Sequence, residues 1–275
     1  MKNFIKVLVL GFVFGVFVGL EYFSIDSTLL FSDIIIKYGL SLHYFTYEDI
    51  VYITMGLLPY IMFAFVFGTY IYRHYCTASV YFFSRCSNKN LWYIKEMVKL
   101  FCFTFFYLTI LPLIGLVIAS VFGKVTVDKE SIIVFVYYLI IYSIWLFSIT
   151  LLINTLSIIV GGYRAFCIVM GSIAIFLALL SMWDIKGILS TSIDNNPNYN
   201  RNLALLPINL IANLVISWHG SDNMAINEHV NVNGYGISFL SSIMFMIILL
   251  IIVEIVSFFI INKTDTVTVS KNMEG

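Results

Sequence analysis

Charge is what this sequence has least of. Only 11% of its 275 residues are Asp, Glu, Lys or Arg, against about 25% in ordinary soluble domains. With 61% hydrophobic residues and a mean hydropathy of +0.98, too few polar side chains remain to coat a water-facing surface. That excludes a soluble fold. Lys plus Arg number 15 and Asp plus Glu number 15, so no net charge exists to draw a nucleic acid. Cysteine is sparse as well. Cys76, Cys86, Cys102 and Cys167 are scattered, two in apolar stretches and two in a basic loop, which favours free thiols over a disulfide framework.

Catalytic motifs are missing too. The phosphate-loop pattern G-x-x-x-x-G-K-[ST] is absent, so the chain does not hydrolyse ATP by that route. There is no H-E-x-x-H for zinc, no adjacent glutamate pair, and Gly171-Ser172 lies outside a G-x-S-x-G context. Two loose groupings, His219, Asp222, Glu228 and His229 in one loop and His74, Cys76 and Cys86 in another, lack tight ligand spacing and read as solvated side chains. The expectation is a non-enzyme with no catalytic residue, metal or cofactor of its own.

What the sequence does have is long apolar runs. A helix needs roughly 20 apolar residues to cross the hydrocarbon core, and six stretches qualify: 7–23, 51–72, 100–122, 132–159, 165–183 and 236–262. The first follows Lys2 and Lys6 as a signal peptide would, but Gly19-Leu20-Glu21-Tyr22-Phe23 makes a poor cleavage site. Orientation follows from basic residues, which stay cytoplasmic. With both termini inside, Lys2, Lys6, Arg73, Arg85, Lys89, Lys95, Lys99, Arg164, Lys263 and Lys271 are cytoplasmic, and Lys37, Lys124, Lys129, Lys186 and Arg201 are outside. The fold class expected is therefore an all-α integral membrane protein, a single transmembrane domain over 1–275, in the bacterial cytoplasmic membrane.

Between the fifth and sixth stretches lies a shorter apolar run, Leu203 to Trp218. Its 16 residues include Pro207, Asn209 and Asn213, too short and too polar to span, which fits a re-entrant hairpin or a surface amphipathic helix. Gly11, Gly15 and Gly19 recur at spacing four, so they share one helix face and permit close packing of another helix. Glu254 is the one acidic residue deep in an apolar stretch, a candidate for a polar path or an ion pair with a neighbouring helix. Loop 73–99 is basic and aromatic. Leu91, Ile94 and Val98 fall on one helical face with Lys95 and Lys99 beside it, suited either to anchoring at the membrane surface through Trp92 and Tyr93 or to docking a cytoplasmic partner.

This layout, with a loop reading Ser84-Arg85-Cys86-Ser87-Asn88-Lys89-Asn90-Leu91-Trp92-Tyr93-Ile94-Lys95, resembles the ABC-2-type permease subunits, in particular the small six-helix permeases of Gram-positive peptide and antibiotic exporters. The resemblance implies a permease that pairs with a second copy or a related permease in the lipid bilayer and is driven by a separate ATP-binding subunit. It implies a coupling helix within about 75–92, with Phe82, Phe83, Arg85 and Trp92 as contact residues, and a re-entrant excursion before the last helix. The implied role is export of a peptide, antibiotic or lipid-like cargo, as in antimicrobial peptide resistance. An ion-coupled secondary transporter and a non-transporting immunity or sensory subunit are the alternatives. The first normally carries several intramembrane charges and a repeat, whereas here only Glu254 stands out.

Overall fold

The computed structural model describes residues 2–20, 28–40, 47–79, 89–122, 125–182, 206–230 and 236–263. Their order is α1 (Lys2–Gly19), β1 (Leu29–Leu30), α2 (Phe31–Tyr38), α3 (Tyr47–Phe67), α4 (Tyr70–Ser79), α5 (Lys89–Phe122), β2 (Val125–Thr126), α6 (Lys129–Val160) and α7 (Gly162–Met182). Three 3-10 turns follow, over Leu206–Ile208, Ala212–Leu214 and Ile216–Trp218. The chain continues through β3 (His219–Gly220), α8 (Met224–Val230), β4 (Ile237–Ser238) and α9 (Phe239–Lys263). The strands form two minimal parallel pairs, β1 with β2 and β3 with β4.

Among the described residues, five segments are long and apolar enough to cross a bilayer: Ile53–Cys76, Lys89–Phe122, Lys129–Val160, Gly162–Leu180 and Phe239–Lys263. A helical, multi-pass membrane protein follows from them. Asn3–Gly19 is a shorter apolar helix. The ends differ from the apolar runs in instructive ways. α5 begins at Lys89, eleven residues before the run starting at 100, so the second half of loop 73–99 is the opening of a 34-residue helix and not a separate surface piece. Helix propensity does not require apolar residues, and Glu96 with Lys99 supplies an i,i+3 ion pair there. The face expected from Leu91, Ile94 and Val98 is present, and all three are exposed.

The chain forms two compact units. Unit 1 comprises residues 1–59, 106–142 and 173–245, and unit 2 comprises residues 60–105, 143–172 and 246–275.

In unit 1, α1 packs on the second half of α5 through Gly11, Gly15 and Gly19. A Cβ at each would meet Ile110, Ile114 and Ile118 at 2.9, 2.8 and 2.7 Å. Glycines at spacing four face isoleucines at spacing four, and both series rise together, so the two helices run parallel. Phe4 adds an edge-on contact to Phe106 at 5.6 Å. The short helix α2 lies in a stretch that reads as an acidic loop by sequence. Asp33 accepts the Leu30 N–H at its start (2.9 Å), and Phe31, Ile34, Ile35, Ile36 and Tyr38 are buried. The Tyr38 hydroxyl donates to the Gly15 carbonyl (2.9 Å), and its ring fills the space a side chain at Gly115 would need.

The α1–α5 seam predicts a graded response. Gly15→Ala forces a Cβ against Cβ of Ile114, which is close to the backbone and cannot swing away, whereas at Gly19 the nearest atom is the flexible Cδ1 of Ile118. Gly15→Ala should cost about 1–3 kcal/mol and Gly19→Ala less, with Ile114→Gly, which removes the opposing Cβ, restoring part of the Gly15→Ala loss. Thermal unfolding in detergent measures all three.

Candidate functional site

The segment that attracts attention in unit 2 is a spanning helix in two pieces. α3 ends at Phe67 and α4 starts at Tyr70, around Gly68 and Thr69. In an unbroken helix the Ile71 N–H would bond the Phe67 carbonyl. Here the side-chain amide of Asn154, on α6, is inserted between them. Its Oδ1 accepts from Ile71 N (2.7 Å) and Tyr72 N (3.3 Å), and its Nδ2 donates to the Phe67 carbonyl (2.9 Å) and the Thr150 carbonyl (2.8 Å). The ladder resumes with Arg73 N bonding Thr69 O at 2.9 Å. Asn154 is fully buried and spends three of its four hydrogen bonds on this repair, the fourth going to Thr150 on its own helix. Backbone at membrane depth tolerates a break only with such a substitute partner.

Beyond the break, α4 is held to the first turns of α5. Glu96 is 5% exposed and accepts from Lys99 Nζ (2.6 Å) and from His74 on α4 (3.3 Å), with the Tyr70 hydroxyl on the same carboxylate. Tyr75 packs on Trp92 with ring centroids 6.1 Å apart, and Tyr70 packs on His74 and Phe103. The sequence places His74 in a loop, but it lies on α4, in reach of Glu96. Of the residues singled out for coupling, Trp92 belongs to this knot, half-buried on α5, while Phe82, Phe83 and Arg85 lie outside the described residues. Glu254, half-buried on α9, lies near enough to Tyr93 to act on its hydroxyl electrostatically. Cys102 and Cys167 are exposed free thiols.

In unit 1 the apolar run before the last helix is neither a surface helix nor a regular element. Residues 209–219 are buried and turn in 3-10 steps, with asparagines doing the work of missing ladder bonds. Asn209 Oδ1 accepts from Ile211 N (2.8 Å) and its Nδ2 donates to the Phe176 carbonyl (3.0 Å). Asn213 Nδ2 donates to the carbonyls of Pro207 and Asn209, the latter at 2.8 Å. Tyr142 donates to the Leu214 carbonyl (2.7 Å), and Ile216 N bonds the carbonyl of Gly39 (3.0 Å).

His219 closes this segment. It is fully buried, stacked 4.7 Å from the Phe239 ring, and so is not the solvated loop residue its sequence context suggests. Nδ1 faces the Val215 carbonyl at 3.0 Å and Nε2 faces Ser242 Oγ at 2.9 Å, and that hydroxyl also lies 2.7 Å from Asn213 Oδ1. A carbonyl only accepts, which puts the proton of the neutral ring on Nδ1 and leaves Nε2 an acceptor that competes with Asn213 Oδ1 for the single Ser242 proton. Burial pushes this imidazole down to about 4, against the raising effect of the Val215 and Ile216 backbone groups.

No family model, curated protein or solved structure matches this chain. What it does must therefore be argued from its own residues.

Two outcomes follow from the geometry. Asn154→Leu strands Phe67 O, Ile71 N and Tyr72 N without their partner, and at about 1–3 kcal/mol per buried group the loss should reach at least ~3 kcal/mol. The thermal midpoint in detergent reports it. For His219 the folded protein refuses a proton that the unfolded chain accepts below its ordinary value of 6.5. Stability is thus complete above pH 6.5, falls as pH drops toward 4, and levels off below that, by about 3 kcal/mol in all. His219→Gln should flatten that part of the profile, as read by thermal midpoints across pH 4–7.

Proposed function

We propose that this chain is the membrane-spanning permease subunit of an ABC-type exporter. In this reading it sits in the bacterial cytoplasmic membrane with both termini inside, pairs with a second permease, and draws its energy from a separate ATPase. The cargo class is a peptide, antibiotic or lipid-like molecule. The observation that carries the reading is the knot around Glu96. It clamps α4 to the start of α5, and the chain between them, 80–88, is the basic aromatic stretch with Phe82, Phe83 and Arg85. A push on that stretch then reaches two spanning helices through a rigid joint and is not dissipated in a floppy loop.

Other features agree with it. α1 runs parallel to α5, as a first crossing must if the interrupted α3–α4 span returns the chain to the starting side. In this reading α1 is the sixth spanning helix. The buried 3-10 segment around Asn209 and Asn213, built of turns satisfied by side chains, is suited to a re-entrant excursion over 203–218. The break at Gly68–Thr69 might be read as the ion site of a secondary transporter, where unwound backbone holds a cation. Asn154 already occupies Phe67 O, Ile71 N and Tyr72 N, so that backbone is committed and the secondary-transporter reading is the weaker one.

The test is pull-down of the cognate ATPase, with its hydrolysis rate in the complex. Phe83→Ala with Arg85→Ala should leave membrane insertion intact, weaken capture by ~2 kcal/mol or more, about 30-fold in Kd, and reduce stimulated hydrolysis. If capture and hydrolysis are both unchanged, the segment is a surface anchor and the coupling assignment is wrong.

A further inference from the structure

In unit 1, three residues with metal-binding chemistry converge from distant parts of the chain. Asp128 follows β2, Glu130 lies in the first turn of α6, and His229 lies in the last turn of α8, one ligand atom of each lying within 4.8 Å of the others. The grouping is not the one suggested by the sequence: His229 has left Asp222 and Glu228, its loop neighbours, for carboxylates about a hundred residues upstream.

We propose that Asp128, Glu130 and His229 bind one first-row divalent transition-metal ion of the zinc type, with a fourth position open to solvent. The donor set, one imidazole and two carboxylates, suits such an ion, and three protein ligands leave a tetrahedral site open. Spacing is the second argument. Ligands each about 2.0–2.2 Å from one ion lie roughly 3.0–3.6 Å from each other, and His229 Nε2 stands 3.1 Å from Asp128 Oδ2. Glu130 is half-buried, with a carboxylate oxygen within 4.8 Å of the other two ligand atoms.

The third argument is that the ligands are already oriented. Ser32 on α2 places its hydroxyl 3.0 Å from His229 Nδ1, which turns Nε2 toward the carboxylates. Ser32 is itself held, its N–H donating to Ser131 Oγ at 3.1 Å. Asp128 gives its other oxygen, Oδ1, to the Ser131 N–H at 3.1 Å, which fixes the carboxylate at the start of α6 and leaves Oδ2 for the ion. A metal here would tie the start of α6 to α8, with α2 held behind them through Ser32.

The experiment uses the full-length protein in detergent, stripped with chelator and titrated with Zn2+ against a chromogenic competitor, then with Co2+ for its visible spectrum. The expected result is one Zn2+ per chain and an intense tetrahedral Co2+ band. Glu130→Gln and His229→Gln should each weaken binding at least tenfold, Ser32→Ala about tenfold, and Asp222→Asn with Glu228→Gln not at all. Glu130→Gln removes none of the hydrogen bonds just described, so it carries the test even if His229→Gln misfolds. Absence of stoichiometric binding, or binding unchanged in Glu130→Gln and His229→Gln, overturns the proposal and leaves His229 and Asp128 as an ion pair.

Discussion

A peptide group without a hydrogen-bond partner costs several kcal/mol in lipid, and the departures from regular helix among the described residues are arranged around that cost. Most of the chain meets it the simple way, by long helices. Where the helix stops, an asparagine takes over. Asn154 bridges the two ends of the α3–α4 break, and Asn209 and Asn213 tie down the 3-10 turns before α9. The carboxamide suits this task because it offers a donor and an acceptor side by side, as the peptide does.

A second layer of order comes from close approach. Small residues replace bulk where two backbones meet, since dispersion between tightly apposed helices takes over from a hydrophobic drive that is weak in lipid. α1 and α5 meet through glycine against isoleucine at matched spacing, and Tyr38 uses the remaining gap beside Gly15 and Gly115 to place its hydroxyl on a helical carbonyl.

Much of this architecture was legible in the sequence, and the reason is physical. A bilayer demands length and apolarity, both of which are local, so the runs behind α5, α6, α7 and α9 stand out. The helical face of Leu91, Ile94 and Val98 was legible, but its continuity with the spanning run was not, because apolarity marks the lipid-facing length of a helix and not its hydrogen-bonded length. α2 was hidden because Asp33 and Lys37 gave its stretch the look of a loop, although the isoleucines between them are buried. The glycine face of α1 was visible, but its partner was not; the matching series Ile110, Ile114 and Ile118 was the signal available. Asn154 also left a trace, as a lone amide inside an apolar helix. The pairing of His229 with Asp128, 101 positions apart, left none, since nothing local couples the two. The cluster that holds the Glu96 carboxylate was half visible: the charges of loop 73–99 were plain, their burial was not.

The distance along the chain between Asn154 and the break it repairs, 87 residues to Phe67, also sets an order of assembly. At a synthesis rate of about 5–20 residues per second, the α3–α4 segment enters the membrane roughly 4–17 seconds before its amide partner exists. Until α6 arrives, Phe67 O, Ile71 N and Tyr72 N lack the side chain that pairs them in the finished fold. The break at Gly68–Thr69 is completed only when α6 reaches it, so this span is made early and finished late.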